Sequence, residues 1–163
     1  MINEHAPIFE SCKPYLLEEA SFLGFSTETS LVQNQTAVVF RQLMIWRKDD
    51  EAYKNMPVYD IKIYPRDYFT AFDPSRPFVK WAAVKRKEKD TNASLKPYVV
   101  PRGSYLCFTH TERVSPSFFQ ELYNTWLPQS PYELDDRPHF DKMWPDPTNR
   151  GAVVKEEIYI PIK

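Results

Sequence analysis

VPRGSYLCFTHTERVSPSFFQELYNTWL, residues Val100 to Leu127, reads as strand, turn and helix. Pro101 and Gly103 punctuate its entry. Tyr105 to Thr109 is a short apolar run rich in β-prone residues. Ser115 then stands at an N-cap position. Pro116 follows at the first helical position, where a missing N–H and a fixed φ do no harm. Phe118, Phe119, Leu122 and Trp126 fall on one apolar face, and Pro128 stops the helix. Periodicity alone assigns Phe118 and Leu122 to a core.

Outward from this stretch, the first half of the chain shows the same order of elements. Ser21 to Leu31 is β-prone, with Gly24 inside it as a candidate bulge. Thr36 to Lys48 has helical periodicity. Ala37, Phe40 and Met44 form one stripe, with Val39, Leu43 and Trp46 beside it, and Arg47 and Lys48 suit its C-terminal end. Val58 to Tyr64 alternates, Tyr59, Ile61 and Ile63 on one face and Asp60, Lys62 and Tyr64 on the other. Arg66 to Pro77 is turn-rich, and Phe78 to Lys85 is a strand. After the helix of the second half come Tyr132 to Trp144, whose end reads as a strand, and a closing strand from Val153 to Ile162. Strand, helix, strand, strand thus occurs twice, over Ser21–Lys85 and Val100–Ile162. Trp46 and Trp126, and Trp81 and Tyr159, recur at similar spacings.

The predicted fold is therefore α+β: duplicated strand-helix-strand-strand units with pseudo-twofold symmetry, an antiparallel sheet with two helices on one side, and a central ligand groove at the seam. Its extent is one domain over residues 1–163, with an N-terminal arm over 1–20 and halves over 21–95 and 96–163. Lys85, Arg86, Lys87 and Lys89, interrupted by Glu88 and Asp90, read as a solvated hairpin tip between the halves, from Lys85 to Leu95.

Composition narrows the function. Aromatic residues make up 15% of the chain, with ten Tyr, eleven Phe and four Trp. The polar tips of Tyr and Trp want partners, so an excess of them points to pockets or interfaces. Three Gly against fifteen Pro argues against glycine-rich phosphate loops. A net charge of −1 leaves no basic footprint for nucleic acid, so no direct nucleic-acid partner is expected. Two cysteines, Cys12 and Cys107, do not make a disulfide framework, and Cys107 reads as a reduced core residue. The N-terminus lacks an apolar signal region and no run of 18 apolar residues occurs, so a cytoplasmic chain without membrane contact is expected. His5, His110 and His139 show no ligand-like spacing with the cysteines; neither a metal nor a cofactor is expected.

Three further stretches carry a resemblance. VVPRGSYLCFTH (Val99–His110) is similar to an I-P-x-G-x-Y-x-x-F-x-H strand. FFQELYNTWLPQSPYEL (Phe118–Leu134) is similar to a helix ending in W-L-P-x-S-x-Y-E-L. EEIYIPIK (Glu156–Lys163) is similar to a closing E-I-Y-I-P-I-K. Together they resemble the GyrI-like (gyrase-inhibitor-like) effector-binding domain, the ligand module of several AraC- and MerR-type transcription regulators. The first half matches by pattern, through FLGFSTETSL (Phe22–Leu31) and its helix. The resemblance implies two strand-helix-strand-strand units around an aromatic-lined pocket that often holds a carboxylate. The family's F-E-x-Y is here Phe140, Asp141, Lys142 and Met143, so Asp141 stands for the pocket Glu, one methylene shorter. The first twenty residues leave no room for a helix-turn-helix, and a stand-alone module is expected.

These readings nominate a ligand site. In the last strand Ile158, Ile160 and Ile162 share a core face, while Glu157 and Tyr159 share the other, either lining a groove or lying on a solvated strand face. Trp81 is a pocket wall or plain core, and Trp126 packs beneath the pocket or in the core. Tyr105 and Tyr64 are further candidates, and the carboxylate role falls to Glu157 or Asp141, with Glu157 better fixed by its isoleucine neighbours. The expected function is binding of a hydrophobic or cationic small molecule. The alternative is hydrolysis of a small electrophile by a Glu/Asp–Tyr pair in the same pocket. No catalytic residue is nominated, and the oligomeric state is left open.

Overall fold

A computed structural model describes residues 3–87 and 94–163. The elements are α1 (Ala6–Glu10), β1 (Lys13–Leu17), β2 (Ala20–Thr29), α2 (Thr36–Lys48), β3 (Val58–Ile63), β4 (Phe78–Lys85), β5 (Lys96–Val100), β6 (Gly103–His110), α3 (Pro116–Glu121), β7 (His139–Pro145) and β8 (Val153–Pro161). The eight strands form one antiparallel sheet in the order β1-β6-β8-β7-β3-β4-β2-β5. The fold is α+β, as the duplicated pattern predicts. The strand triplets β6-β8-β7 and β2-β4-β3 meet at the β3–β7 seam, where Asp60 pairs with Asp141 on the pseudo-twofold axis.

The alternation in each strand decides which face is covered. Positions in line with Asp60 and Asp141 include Ala82, Ile158, Phe108 and, two residues away, Val58, Met143, Val84, Ile160 and Leu106. α2 and α3 both pack on this one face. Val39 and Leu43 of α2 sit on Leu23, Val58, Ala82 and Val84. Phe118 and Leu122 sit on Leu106, Phe108, Ile158 and Ile160. The other face gathers Phe22, Tyr59, Ile61, Trp81, Tyr105 and Phe140 into an aromatic cluster. β1 and β2 stand near opposite ends of the sheet order, yet two residues join them, as two join β5 to β6. Such a link spans only about 10 Å, so the sheet curls until its edges approach. Leu17, Ala20 and Val100 close over the aromatic cluster at that junction.

Several details depart from the sequence reading. Part of the N-terminal arm becomes edge strand β1, paired with β6. Lys96–Val100, not foreseen as a strand, pairs with β2. β4 and β5 both pair with β2 and not with each other, so the segment between them is a crossover and not a hairpin; the tip residues 88–93 lie outside the described residues. Ser115 occupies the N-cap position of α3, but its hydroxyl bonds Ser117 Oγ at 2.7 Å. After Glu121 the helix widens into a π-helical turn, Leu122–Trp126, closed by Leu127 N–H donating to the Leu122 carbonyl at 2.8 Å. The register also moves the counterpart of Trp81. Trp81 faces Ile61 while Lys142 faces Glu157, and Ile61 and Lys142 are equivalent about the axis, so Trp81 matches Glu157 and Ala83 matches Tyr159. Among the described residues no helix is long and apolar enough to cross a membrane.

Gly24 makes no bulge: it keeps register with Ala83 on one side and Lys96 on the other. Its role is close approach, because a Cβ there would lie 2.2 Å from the Ala82 carbonyl oxygen and 2.8 Å from Ala83 Cα. Both are backbone atoms inside a sheet and cannot step aside. Gly24→Ala is expected to cost about 1–3 kcal/mol through overpacking, read as a lower urea midpoint at unchanged m-value. A variant as stable as the parent would mean that the two strands are not packed this tightly.

Candidate functional site

On the helix-covered face, between α2 and the β7–β8 hairpin, lies a cavity of about 1090 Å³. Ala37, Phe40 and Met44 of α2 form one wall, the stripe that runs beside the core-facing Val39 and Leu43. Val58 and Met143, paired across the seam, lie in its floor. Trp144 and the loop from Pro145 to Val153 form the opposite wall, and exposed Arg113 and Arg150 lie at its margin. The volume is that of a site for a drug-sized molecule.

Beside the cavity the sheet buries an unusual amount of charge. Asp60 and Asp141 face each other across the seam, an arrangement that like charges resist. Two lysines balance them: Lys62 Nζ lies 2.7 Å from Asp141 Oδ2, and Lys80 Nζ lies 3.3 Å from Asp60 Oδ2. Lys80 also donates to Thr36 Oγ1 at 3.0 Å, and both residues line the cavity. Burial opposes the charge on Lys62, but Asp141 and Asp60 outweigh it and hold the ammonium above its ordinary range. Burial wins at Lys80 and lowers it. Cross-strand from Met143 stands Glu156, 2% exposed. Burial, reinforced by the Asp141 charge, pushes its carboxyl up to about 8. Asp60 Oδ1 and Glu156 Oε2 are buried and have no hydrogen-bond partner among the described residues.

The other end of the inter-helix groove is filled. Tyr64, Tyr68 and Phe69 fold over it, Phe69 lies 4.4 Å from Tyr123, and Tyr123 Oη hydrogen-bonds His139 Nδ1 at 2.8 Å. Burial and the Lys62 charge drop His139 to about 3, so it is neutral there. Among the described residues no group of three or more His, Cys, Asp and Glu is arranged to hold a metal ion.

The residues nominated from sequence divide between the two faces. Glu157, Tyr159, Trp81 and Tyr105 come together opposite the helices. There Tyr159 Oη donates to Glu157 Oε1 at 2.9 Å, its ring stacks on Phe140 at 4.6 Å, and Trp81 packs against Tyr98 at 5.1 Å. Tyr105 is fully buried in that cluster and donates to the Pro138 carbonyl at 2.8 Å. Asp141 and Tyr64 lie on the helix side, in the ionic group and the aromatic plug. Trp126 packs in the α3 core, stacked on Phe9 at 5.5 Å. The sequence reading omitted Glu156, Lys80, Arg47, Arg113 and Trp144. Glu156 had a signal, since it shares the parity of Ile158 and Ile160 and so points a carboxylate into the core.

The family described as Cass2, integron-associated effector binding protein, matches residues 16–162. The chain belongs to this family of effector-binding proteins, and the resemblance to GyrI-like effector-binding domains holds. Solved structures agree on the fold. The integron cassette protein VCH_CASS2 of Vibrio cholerae has a TM-score of 0.64 at 14% identity, covering 94% of this chain and 97% of that one. SAV2435, solved bound to tetraphenylphosphonium, has a TM-score of 0.63 at 14% identity, covering 93% of each chain. The EcmrR C-terminal domain has a TM-score of 0.58 at 12% identity, covering 93% of this chain and 96% of that one. A search of curated protein sequences finds no match.

Glu156 supplies a test of this buried electrostatics. Its carboxyl sits at about 8 in the folded chain against 4.5 when unperturbed. The folded state therefore holds a proton that the unfolded state releases, and stability falls as pH rises from about 4.5 to about 8, then falls no further on this account. Glu156→Gln should remove that dependence. Its melting temperature is expected to match the parent near pH 5 and to exceed it increasingly up to pH 8, by differential scanning fluorimetry. A difference independent of pH would contradict the burial of this carboxyl.

Proposed function

We propose that the chain binds a hydrophobic, drug-sized small molecule with a cationic centre in the cavity between α2 and the β7–β8 hairpin. The observation that carries this reading is the cavity itself, with apolar walls from Phe40, Met44, Met143 and Trp144. Two buried carboxylate oxygens beside it, on Asp60 and Glu156, have no hydrogen-bond partner among the described residues. Apolar walls favour the body of such a ligand at roughly 25 cal/mol per Å² removed from water. Aromatic faces add only about 0.5–2 kcal/mol for a cation, so a carboxylate is needed for strong charge recognition. Membership of an effector-binding family supports the reading, as does the fold shared with SAV2435, which was solved with a lipophilic cation bound. Binding requires nothing more than these walls and one charge. The hydrolytic alternative would in addition require turnover of the ligand.

Titration with tetraphenylphosphonium tests the proposal. It should raise the melting temperature, because a ligand of the native state stabilises by mass action, and it should give no product. Phe40→Ala or Trp144→Ala should weaken binding about tenfold or more, as loss of a packed aromatic wall does. Glu156→Gln should weaken it strongly, while Glu157→Gln, on the other face of the sheet, should leave it unchanged. Affinity should also rise with pH toward about 8, as Glu156 gives up its proton to pair with the cation. If Glu157→Gln abolishes binding and Glu156→Gln does not, the ligand lies on the other face. Hydrolysis of a small electrophilic ester or epoxide, abolished by blocking the cavity with tetraphenylphosphonium, would favour the hydrolase.

A further inference from the structure

We infer that the ligand of this cavity also carries an acidic group, seated on Arg47, and is therefore a zwitterionic amphiphile. The inference rests on the cavity reading above and deepens it. Arg47 lies in the last turn of α2, three residues beyond Met44, and lines the cavity although the residue is only 8% exposed. Its Nε and Nη2 both donate to one acceptor, the Met56 carbonyl, at 3.2 and 2.6 Å. Among the described residues no carboxylate pairs with it, and burial lowers its pKa with no neighbouring charge to offset the cost. Two of the guanidinium donors are thus engaged by one backbone carbonyl, and among the described residues no carboxylate balances the charge of this lining residue. That is the arrangement a carboxylate satisfies in forked geometry.

The rest of the lining agrees. Lys54, Lys80, Arg113 and Arg150 add positive charge, and the one acidic lining residue among the described residues, Asp146, already accepts from Thr148 N at 2.9 Å and Thr148 Oγ1 at 2.7 Å. Lys54 is paired with Glu51 and Lys80 with Asp60, but Arg113 and Arg150 have no ion pair among the described residues. The cavity is also polarised. Met56, which holds Arg47, leads into Val58 on β3, while Glu156 stands two strands away on β8 with Met143 between them. Adjacent strands are about 4.8 Å apart, so roughly 10 Å of apolar floor separates Glu156 from the Arg47 side, while Asp60, on β3 itself, is held by Lys80. A ligand with a cationic centre, an apolar body and a carboxylate fits that spacing.

Rhodamine 110 and rhodamine 123 test this, because they share the cationic xanthene and differ only in a free carboxylate against its methyl ester. At neutral pH, fluorescence anisotropy with the full chain should show rhodamine 110 bound at least about tenfold more tightly, the difference one charge-assisted hydrogen-bonded contact makes. Arg47→Gln, which keeps a donor for the Met56 carbonyl, should bring the two dyes to near parity. Arg113→Gln and Arg150→Gln, at exposed positions, should leave most of the preference intact. Equal affinities, or tighter binding of the ester by the parent chain, overturn the inference and leave the cavity reading standing; this comparison needs no variant to fold. Loss of the preference in Arg113→Gln or Arg150→Gln with Arg47 in place overturns the assignment to Arg47. No binding of either dye, nor of tetraphenylphosphonium, overturns the cavity reading and the inference together.

Discussion

Asp60 and Asp141 meet across the β3–β7 pairing that joins the two halves of the sheet at their seam. Two carboxylates side by side in a covered sheet are unfavourable unless positive charge lies within hydrogen-bond reach. Lys62, from one half, reaches across to Asp141 of the other, and Lys80 holds Asp60. Truncating either lysine would leave an unpaired buried charge, a much larger loss than the pair's net contribution. The seam is thereby tied by groups that favour this register, since a one-residue slip of β3 would turn Asp60 and Lys62 to the aromatic face and leave Asp141 and Lys80 without them. The groove between the helices runs over this ionic group, and its position follows from it.

The two ends of the groove differ because pseudo-equivalent positions carry different chemistry. Lys62 and Met143 are equivalent about the axis, as are Val58 and His139, and Lys80 and Glu156. At one end Lys62 and His139 are covered by the turn-rich segment after β3, whose Tyr68 and Phe69 pack with Tyr64 and Tyr123. At the other, Val58 and Met143 make an apolar floor, and the matching connection after β7 stands back as a wall. Duplication explains why a groove exists, and divergence between the halves explains why only part of it is open.

Much of the architecture was legible because it depends on local periodicity. The bounds of α2 follow from helical spacing, those of β4 agree with the β-prone run Phe78–Lys85, and the motif of the closing strand agrees with β8. Phe40 and Met44 were visible as a helical stripe, although spacing cannot tell a wall of a cavity from a wall of a core. What stayed hidden depends on tertiary geometry. Arg113 and Trp144 reach one cavity only because the sheet order places β7 and the α3 entry near α2. Glu157 and Tyr159 were correctly paired on one face, but the sequence carries no statement of which face the helices leave open. β5 was missed because Lys96 and Pro97 break the β-prone pattern at its start, and pairing with β2 overrides that weakness.

The central claim is that the ligand lies on the helix side of the sheet, over the seam. A crystal structure of the chain with tetraphenylphosphonium bound would test it most directly. The account predicts phenyl rings against Phe40, Met44, Met143 and Trp144, with the phosphonium centre on the side of Glu156. A ligand seated instead on the opposite face, against Trp81, Tyr105 and Tyr159 with Glu157 as its counter-charge, would contradict it.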